Sequence, residues 1–165
     1  MRVLFVCTHN RCRSVLGEVI GRRVGQDTGQ DIGKSKLETA SAGSQPAGSV
    51  HPETLRQLAA RGYATDGLRS NGLDEAEAFS PQVVVTVCDN AAKEACPVWL
   101  GDDAITVHWG LPDPTRADSQ DEMDRGFDDV IATLERRLHS LTAQPLDELD
   151  RPQLQQLFTE LAGID

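Results

Sequence analysis

The chain has 165 residues, 39% of them hydrophobic and 25% charged, a composition typical of a single globular domain. Its net charge of −10 is uneven, because residues 1–40 carry seven Lys and Arg against four acidic residues while the remainder is strongly acidic. This acidity argues against a nucleic-acid partner. We expect a cytoplasmic protein without membrane association, since the apolar start is too short for a signal peptide and no run nears the roughly 20 residues of a membrane span.

Short apolar runs alternate with amphipathic segments along most of the chain. In chain order the predicted elements are a strand (2–7), a helix capped by Ser14, a strand (37–42), a helix from Pro52 to Gly62, a short helix (74–79), a strand (83–88), a helix (89–95), a strand (104–109) and a long helix (122–141). This alternation predicts one α/β domain, with a four-stranded parallel sheet in flavodoxin-like order and helices on both faces. Its site is expected at the carboxyl ends of the strands.

The last part of the chain follows a separate pattern. Asp150-Arg151-Pro152 is a helix start, and one stripe of the helix is apolar, formed by Leu154, Leu157, Phe158, Leu161 and Ile164. We therefore divide the chain into a catalytic domain at 1–142 and a helical extension at 143–165. Packing of this helix on its own domain is the favoured reading, and a dimer contact is the alternative, so the protein is expected to be a monomer or a weak dimer.

The segment from Cys7 to Ser14, Cys-Thr-His-Asn-Arg-Cys-Arg-Ser, carries the clearest chemistry. Cys-x5-Arg between a strand and a helix can hold a tetrahedral oxyanion over a thiolate, because consecutive backbone N–H groups and the helix N-terminus surround the anion. Arg13 can close this cradle with its guanidinium fork. The same field favours the thiolate, so Cys7 is predicted to be nucleophilic at neutral pH.

Asp113-Pro114, in a loop after the last predicted strand, is the candidate for a general acid. Breaking the bond from a tetrahedral centre to an oxygen is faster when that oxygen is protonated as it leaves. The acid would need a pKa raised by burial or by the neighbouring anion. Asp-Pro is also a common turn pair, which is the alternative explanation.

Two further cysteines, Cys88 and Cys96, lie beyond the third predicted strand. If the segment between them is helical, their Cα atoms are about 12 Å apart along the axis, and a disulfide would require the segment to unwind. They could equally be buried structural cysteines. A zinc site with Cys7 and Cys12 lacks the usual paired spacing, so no metal is predicted.

Aromatic residues are scarce, at 4% of the chain with a single tyrosine, Tyr63. A phosphotyrosine ring is normally held between aromatic walls. Trp99 and Trp109 flank the predicted edge, but the Asp113 loop has no aromatic residue close to it. The composition therefore favours a substrate that is little more than the oxyanion itself.

The loop together with Asp113-Pro114 resembles the low-molecular-weight protein tyrosine phosphatase superfamily. Within it, the stretches 87–99, which holds both later cysteines, and His108-Trp109-Gly110-Leu111-Pro112-Asp113-Pro114 resemble its thiol-dependent arsenate reductases. The resemblance covers about residues 1–142. One extra residue separates the paired cysteines compared with thioredoxin-coupled members of this group.

The resemblance implies a mechanism with no bound cofactor. Cys7 attacks arsenate while Asp113 protonates the departing oxygen, Cys88 then attacks Cys7 and expels arsenite, and Cys96 attacks Cys88. The resulting disulfide is reduced by an external thiol donor, thioredoxin or glutaredoxin with glutathione. The residues implied to bind the oxyanion are Thr8, His9, Asn10, Arg11, Cys12, Arg13 and Ser14.

Two other functions remain open on the sequence. A phosphatase acting on phosphotyrosine proteins needs Cys7, Arg13 and Asp113 but neither Cys88 nor Cys96. A phosphoryl carrier or oxyanion sensor would use the loop without turnover, and the presence of a leaving-group acid argues against it.

Overall fold

The computed structural model describes residues 1–29, 35–93 and 103–165, and within these ranges the chain forms four strands and six α-helices. The strands are Arg2–Cys7 (β1), Glu38–Gly43 (β2), Val83–Thr86 (β3) and Ile105–His108 (β4). The helices are Arg13–Thr28 (α1), Pro52–Ala60 (α2), Leu73–Ala76 (α3), Asp89–Lys93 (α4), Gln120–Thr142 (α5) and Arg151–Leu161 (α6). Every predicted strand and helix has a counterpart here.

The sheet has the strand order β2-β1-β3-β4, and all of its pairings are parallel. This is the flavodoxin-like order predicted from the sequence. Residues 3–7 of β1 are buried on both sides, as expected for a central strand that is covered on both faces. The carboxyl ends of β1 and β3 lie side by side, since Val6 pairs with Thr86. Segments that leave these strands therefore begin at the same edge.

Three glycines spaced four residues apart let α1 approach the sheet closely. A Cβ atom at Gly17 would lie 2.6 Å from the Phe5 ring, and one at Gly21 would lie 2.5 Å from the Thr39 side chain. At Gly25 it would overlap the backbone carbonyl oxygen of Leu37. Without side chains on this face, the helix backbone can pack against β1 and β2.

One detail of the sequence prediction is wrong. β3 ends at Thr86, so Cys88 does not end the strand but lies between it and α4. Val87 still donates to the carbonyl of Val6, and the chain then turns into the helix. The last two residues of the predicted helix at 89–95, and Cys96, lie outside the described residues.

The C-terminal extension packs on its own domain, as the favoured reading expected. Phe158 is fully buried, Leu161 is buried, and α6 lies along β4 and α5. Its start is a capping box, in which the Asp150 side chain accepts from the Gln153 amide and the Gln153 side chain accepts from the Asp150 amide. Within the described parts of the chain, no helix is both long and apolar enough to cross a membrane.

We predict that Gly25→Ala destabilises the fold by about 1–3 kcal/mol, because the added methyl overlaps a backbone atom that cannot rotate away. Alanine otherwise stabilises a helix interior by about 1 kcal/mol over glycine, so a loss of stability isolates the packing effect. Urea unfolding measures the change. Gln26→Ala, on the exposed face of the same helix, is the control and should not destabilise. A Gly25→Ala protein at least as stable as the parent would contradict the close approach.

Candidate active site

The loop between β1 and α1 is shaped by the segment that follows β2. Four loop carbonyls accept backbone hydrogen bonds from it: Cys7 from Ser44 at 3.3 Å, Thr8 from Gln45 at 2.8 Å, His9 from Ala47 at 3.0 Å and Arg11 from His51 at 3.0 Å. In a trans peptide the N–H of the next residue points away from the carbonyl. Holding these carbonyls outward therefore turns the following amides inward. The loop therefore has the backbone shape that the predicted anion cradle requires, and it leads into the N-terminus of α1.

Asn10 stabilises this loop through its hydrogen bonds. Its φ of 46° lies in the left-handed region, which asparagine tolerates better than most residues. Its backbone N–H donates to Cys7 Sγ at 3.2 Å, and its Nδ2 donates to the hydroxyls of Ser14 at 2.8 Å and Ser41 at 2.9 Å. Its Oδ1 accepts from the Asn71 amide at 2.6 Å. One buried side chain therefore ties the loop to α1, to β2 and to the start of α3.

Ser14 orients a proton toward the sulfur of Cys7. Its hydroxyl accepts from Asn10 Nδ2 and lies 2.9 Å from Cys7 Sγ, so its own hydrogen is free to donate to the sulfur. Together with the Asn10 amide, this gives a thiolate two donors. The predicted capping role of Ser14 is wrong, because α1 begins at Arg13 with Cys12 at the N-cap and no side-chain cap. The hydroxyl is directed to the sulfur instead.

Arg13 and Asp113 meet on the opposite side of the loop. Arg13 donates from Nη1 to the carbonyl of Leu111 at 3.0 Å, and its Nη2 lies 3.5 Å from Asp113 Oδ2. Asp113 Oδ1 accepts from the Thr115 amide at 3.0 Å and from its hydroxyl at 2.6 Å. The Asp113 loop is thereby docked against the anion cradle.

The pKa of Asp113 is lowered by its surroundings in the protein alone. Burial raises it, but the two Thr115 donors and the nearby Arg13 and Arg116 guanidinium groups outweigh burial, so the pKa lies below its usual value. Of the two causes named for the rise that a general acid needs, burial is not sufficient, and the effect of a bound anion stays a prediction. The sequence reasoning missed Thr115, although a hydroxyl residue two positions after an aspartate is a recognisable turn signal.

Cys88 lies next to the loop. Its side chain is buried, and Sγ is 3.6 Å from Thr8 Oγ1 while accepting from the Ala91 amide at 3.4 Å. A cavity of about 390 Å³ is lined by Cys88 together with Thr8 and Asp113. A second cavity of about 220 Å³ holds Cys7 and shares Thr8 and Asp113 with the first. The structure thus brings a second thiol to the edge of the cradle.

Cys12 differs from the other two described cysteines. Burial raises its pKa to about 12, an effect that the Thr54 hydroxyl only partly offsets. At neutral pH it is therefore a protonated thiol facing the interior, and it contributes to the loop through its backbone. In the part of the chain that the structure describes, no group of three or more side chains is arranged to hold a metal ion.

The remaining loop residues face the mouth of the smaller cavity. His9 is exposed and donates from Nδ1 to the Gln45 carbonyl at 3.1 Å, while Arg11 is half-buried with its Nε lacking a partner among the described residues. His51, which the sequence reasoning missed, lines the same mouth. Trp109 was expected to flank the site but is fully buried, so it cannot touch a substrate.

Comparison with known proteins agrees with this geometry. Residues 2–153 match the family model of low molecular weight phosphotyrosine protein phosphatases. An arsenate reductase of Halalkalibacterium halodurans is 30% identical over 120 residues, which are 73% of this chain and 78% of that protein. The crystal structure of an arsenate reductase from Archaeoglobus fulgidus has a TM-score of 0.63 at 27% identity and covers 86% of this chain and 99% of its own.

A thioredoxin-dependent arsenate reductase from Corynebacterium glutamicum has the same fold, with a TM-score of 0.62 at 22% identity over 90% of this chain and 63% of that one. The family match spans nearly the whole chain and includes the loop, Cys88 and Asp113. The chain belongs to the low molecular weight phosphotyrosine protein phosphatase family.

Proposed function

We propose that this protein is an arsenate reductase that uses Cys7, Cys88 and Cys96 in sequence. The observation that carries the proposal is the buried Cys88 thiol, 3.6 Å from the hydroxyl of the residue after Cys7. Hydrolysis of a phosphate ester at Cys7 needs no second thiol, whereas reduction of arsenate needs two electrons from a thiol pair. The curated relative with 30% identity is named an arsenate reductase, which supports the same activity.

In the first step the Cys7 thiolate attacks arsenic, and an arsenic–oxygen bond breaks. The amides of the loop and the Arg13 fork stabilise the oxyanion, and Asp113 gives its proton to the departing oxygen, which leaves as water. The substrate's own negative charge raises the proton affinity of Asp113 and competes for Arg13, which opposes the lowering seen in the protein alone. Binding therefore prepares the acid.

In the second step Cys88 attacks the sulfur of Cys7. A Cys7–Cys88 disulfide forms, the sulfur–arsenic bond breaks, and the electron pair stays on arsenic, so that arsenic(V) leaves as arsenite. Thr8 follows Cys7 in the chain, and its hydroxyl contacts Cys88 Sγ at 3.6 Å. At the start of α4 the Ala91 amide donates to Cys88 Sγ at 3.4 Å and holds the sulfur beside the loop.

In the third step Cys96 attacks Cys88, which frees Cys7 as a thiolate and moves the disulfide outward. A dithiol donor of the thioredoxin or glutaredoxin type then reduces the Cys88–Cys96 disulfide and completes the cycle. A likeness in fold to a thioredoxin-dependent reductase is compatible with this donor class.

A second candidate function is hydrolysis of phosphate monoesters. The family membership and the pairing of Cys7 with a leaving-group acid favour it. The mouth of the smaller cavity, however, is lined by polar and basic side chains such as Arg11, His51 and Arg116. A phosphotyrosine ring would find no aromatic wall among the described residues of that cavity, which favours a small, fully charged oxyanion.

Cys7→Ser should abolish arsenate reduction and hydrolysis of p-nitrophenyl phosphate together, because the hydroxyl is a far weaker nucleophile at neutral pH. Coupled NADPH oxidation with a thioredoxin system and nitrophenol release measure the two activities. The melting temperature of the variant serves as the folding control. Turnover close to that of the parent in either assay would contradict the role of Cys7.

Cys88→Ser and Cys96→Ser separate reductase from phosphatase. Both variants should lose multiple-turnover arsenate reduction and keep p-nitrophenyl phosphate hydrolysis, since neither thiol takes part in ester cleavage. The ester assay is thus the internal control for a folded loop. Peptide mapping after one arsenate turnover should find a Cys7–Cys88 disulfide in Cys96→Ser. Full arsenate turnover by both variants would show that the two cysteines have a structural role only.

Asp113→Asn should slow the chemical step by about 10²–10⁴-fold while leaving oxyanion affinity unchanged or higher. The sign of the pH dependence follows from the pKa: the acid works only when protonated, and its pKa is lowered in the protein alone but rises beside a bound anion. The high-pH fall in kcat should therefore lie at higher pH than that in kcat/KM. Asp113→Asn should remove that limb from both profiles. A variant with an unchanged rate and weaker binding would instead make Asp113 an anchoring residue.

A further inference from the structure

The C-terminal helix α6 holds Trp109, the residue from which the Asp113 loop departs. Trp109 is fully buried, and its Nε1 donates to the carbonyl of Phe158 at 2.8 Å. The Trp109 and Phe158 rings stack with centroids 5.8 Å apart and planes inclined by 26°. On the core side, the Phe5 ring centroid lies 6.1 Å from that of Trp109. Trp109 is therefore fixed between the sheet and α6.

Arg137 of α5 connects the end of the chain to the same indole ring. Its guanidinium lies 5.5 Å from the Trp109 ring centroid, and it donates from Nε to the Ile164 carbonyl at 2.8 Å and from Nη2 to the Ala162 carbonyl at 2.9 Å. Burial lowers its pKa, and its Nη1 has no hydrogen-bond partner in the described parts of the chain. A guanidinium this buried depends on the ring and on the two carbonyls for its stability, which couples Trp109 to the C-terminal segment.

The position of Trp109 determines where the loop that carries Asp113 begins. The Trp109 amide donates to the Thr86 carbonyl at 2.8 Å, directly after the last paired residues of β3 and β4. The Leu111 amide then donates to Val87 at 3.2 Å. Between Trp109 and Asp113 lies only Gly110-Leu111-Pro112, and the proline restricts the backbone further. A shift of the indole would therefore be passed to the carboxyl.

We propose that the C-terminal segment 151–165 is a positioning element for the leaving-group acid, acting on Asp113 through Trp109. The match to the family model ends at residue 153, so Phe158, Ala162 and Ile164 lie beyond it, and this support belongs to the chain's own extension. The inference rests on the proposed acid role of Asp113. It does not depend on the redox steps at Cys88.

The test uses the full chain carrying Phe158→Leu, which keeps an apolar side chain and removes the ring. Phenyl phosphate has a leaving group that needs a proton, whereas 2,4-dinitrophenyl phosphate loses a stable anion. Because misplacing a positioned acid by about 1 Å can cost up to 10²-fold, we expect kcat to fall about tenfold or more for phenyl phosphate only. Inhibition by inorganic phosphate should be unchanged. Gln156→Ala, on the exposed side of α6, is the matched control and should match the parent.

Two further measurements exclude a merely structural effect. In the Asp113→Asn background, Phe158→Leu should cause no additional loss, since both changes act on one proton transfer. Amide hydrogen exchange should quicken over residues 110–116 and stay unchanged over residues 7–14, a readout that needs no activity. Should Phe158→Leu fail to fold, Arg137→Lys replaces it, because an ammonium cannot hold both tail carbonyls in a fork.

Equal losses on the two esters, additive effects in the double variant, or unchanged exchange over residues 110–116 would each overturn the proposal. Failure of the reductase proposal alone would not overturn it, because ester cleavage is not a redox reaction and does not need Cys88 or Cys96. The two ideas therefore fail separately.

Discussion

The site depends on the outward orientation of the carbonyl groups in the loop after β1. A loop of this length does not by itself turn its amides toward one point. Backbone amides of residues 44–51 hold it in that shape by donating to the loop carbonyls. The two segments can meet only because Gly43 lacks a side chain. A Cβ there would lie 2.7 Å from the Thr8 oxygen and 2.8 Å from the Asn10 nitrogen.

From this constraint the electrostatics of the site follow. Inward amides and the α1 N-terminus make the cradle positive, which suits both a thiolate at Cys7 and an oxyanion above it. Asp113 is held at the rim by Arg13, so the residue that binds the anion also holds the acid. In the proposed mechanism, an anion that takes over part of the Arg13 fork weakens one of the interactions that lower the pKa of Asp113, while the Thr115 hydrogen bonds remain. Anion binding and proton donation are then linked through the Arg13 guanidinium.

The sequence was sufficient to predict the fold and which side chains the structure brings together around the loop. It was not sufficient to predict the hydrogen bonds that orient those side chains. The apolar run at the start of the chain predicted both ends of β1 correctly, because buried parallel strands leave a strong apolar signal. The alternation of strands and helices predicted the strand order. The Ser14 hydroxyl was misassigned as a cap, since its direction depends on Asn10 adopting a left-handed φ. The sequence did not show that burial fails to raise the pKa of Asp113, because the amide and hydroxyl of Thr115 fold back onto the carboxylate.

In the proposed mechanism, the difference between ester hydrolysis and reduction on this scaffold lies in the position of Cys88. In the described part of α4, Asp89–Lys93, Ala91 is the buried residue. What tethers its start is the hydrogen bond from His108 Nε2 to Asp89 Oδ1 at 3.1 Å and the amide of Ala91 on the sulfur. In the proposed relay Cys88 must meet Cys7 in one step and leave it in the next. We expect the polar contacts at the start of α4 to open at a lower free energy than the buried strand β3 beside them.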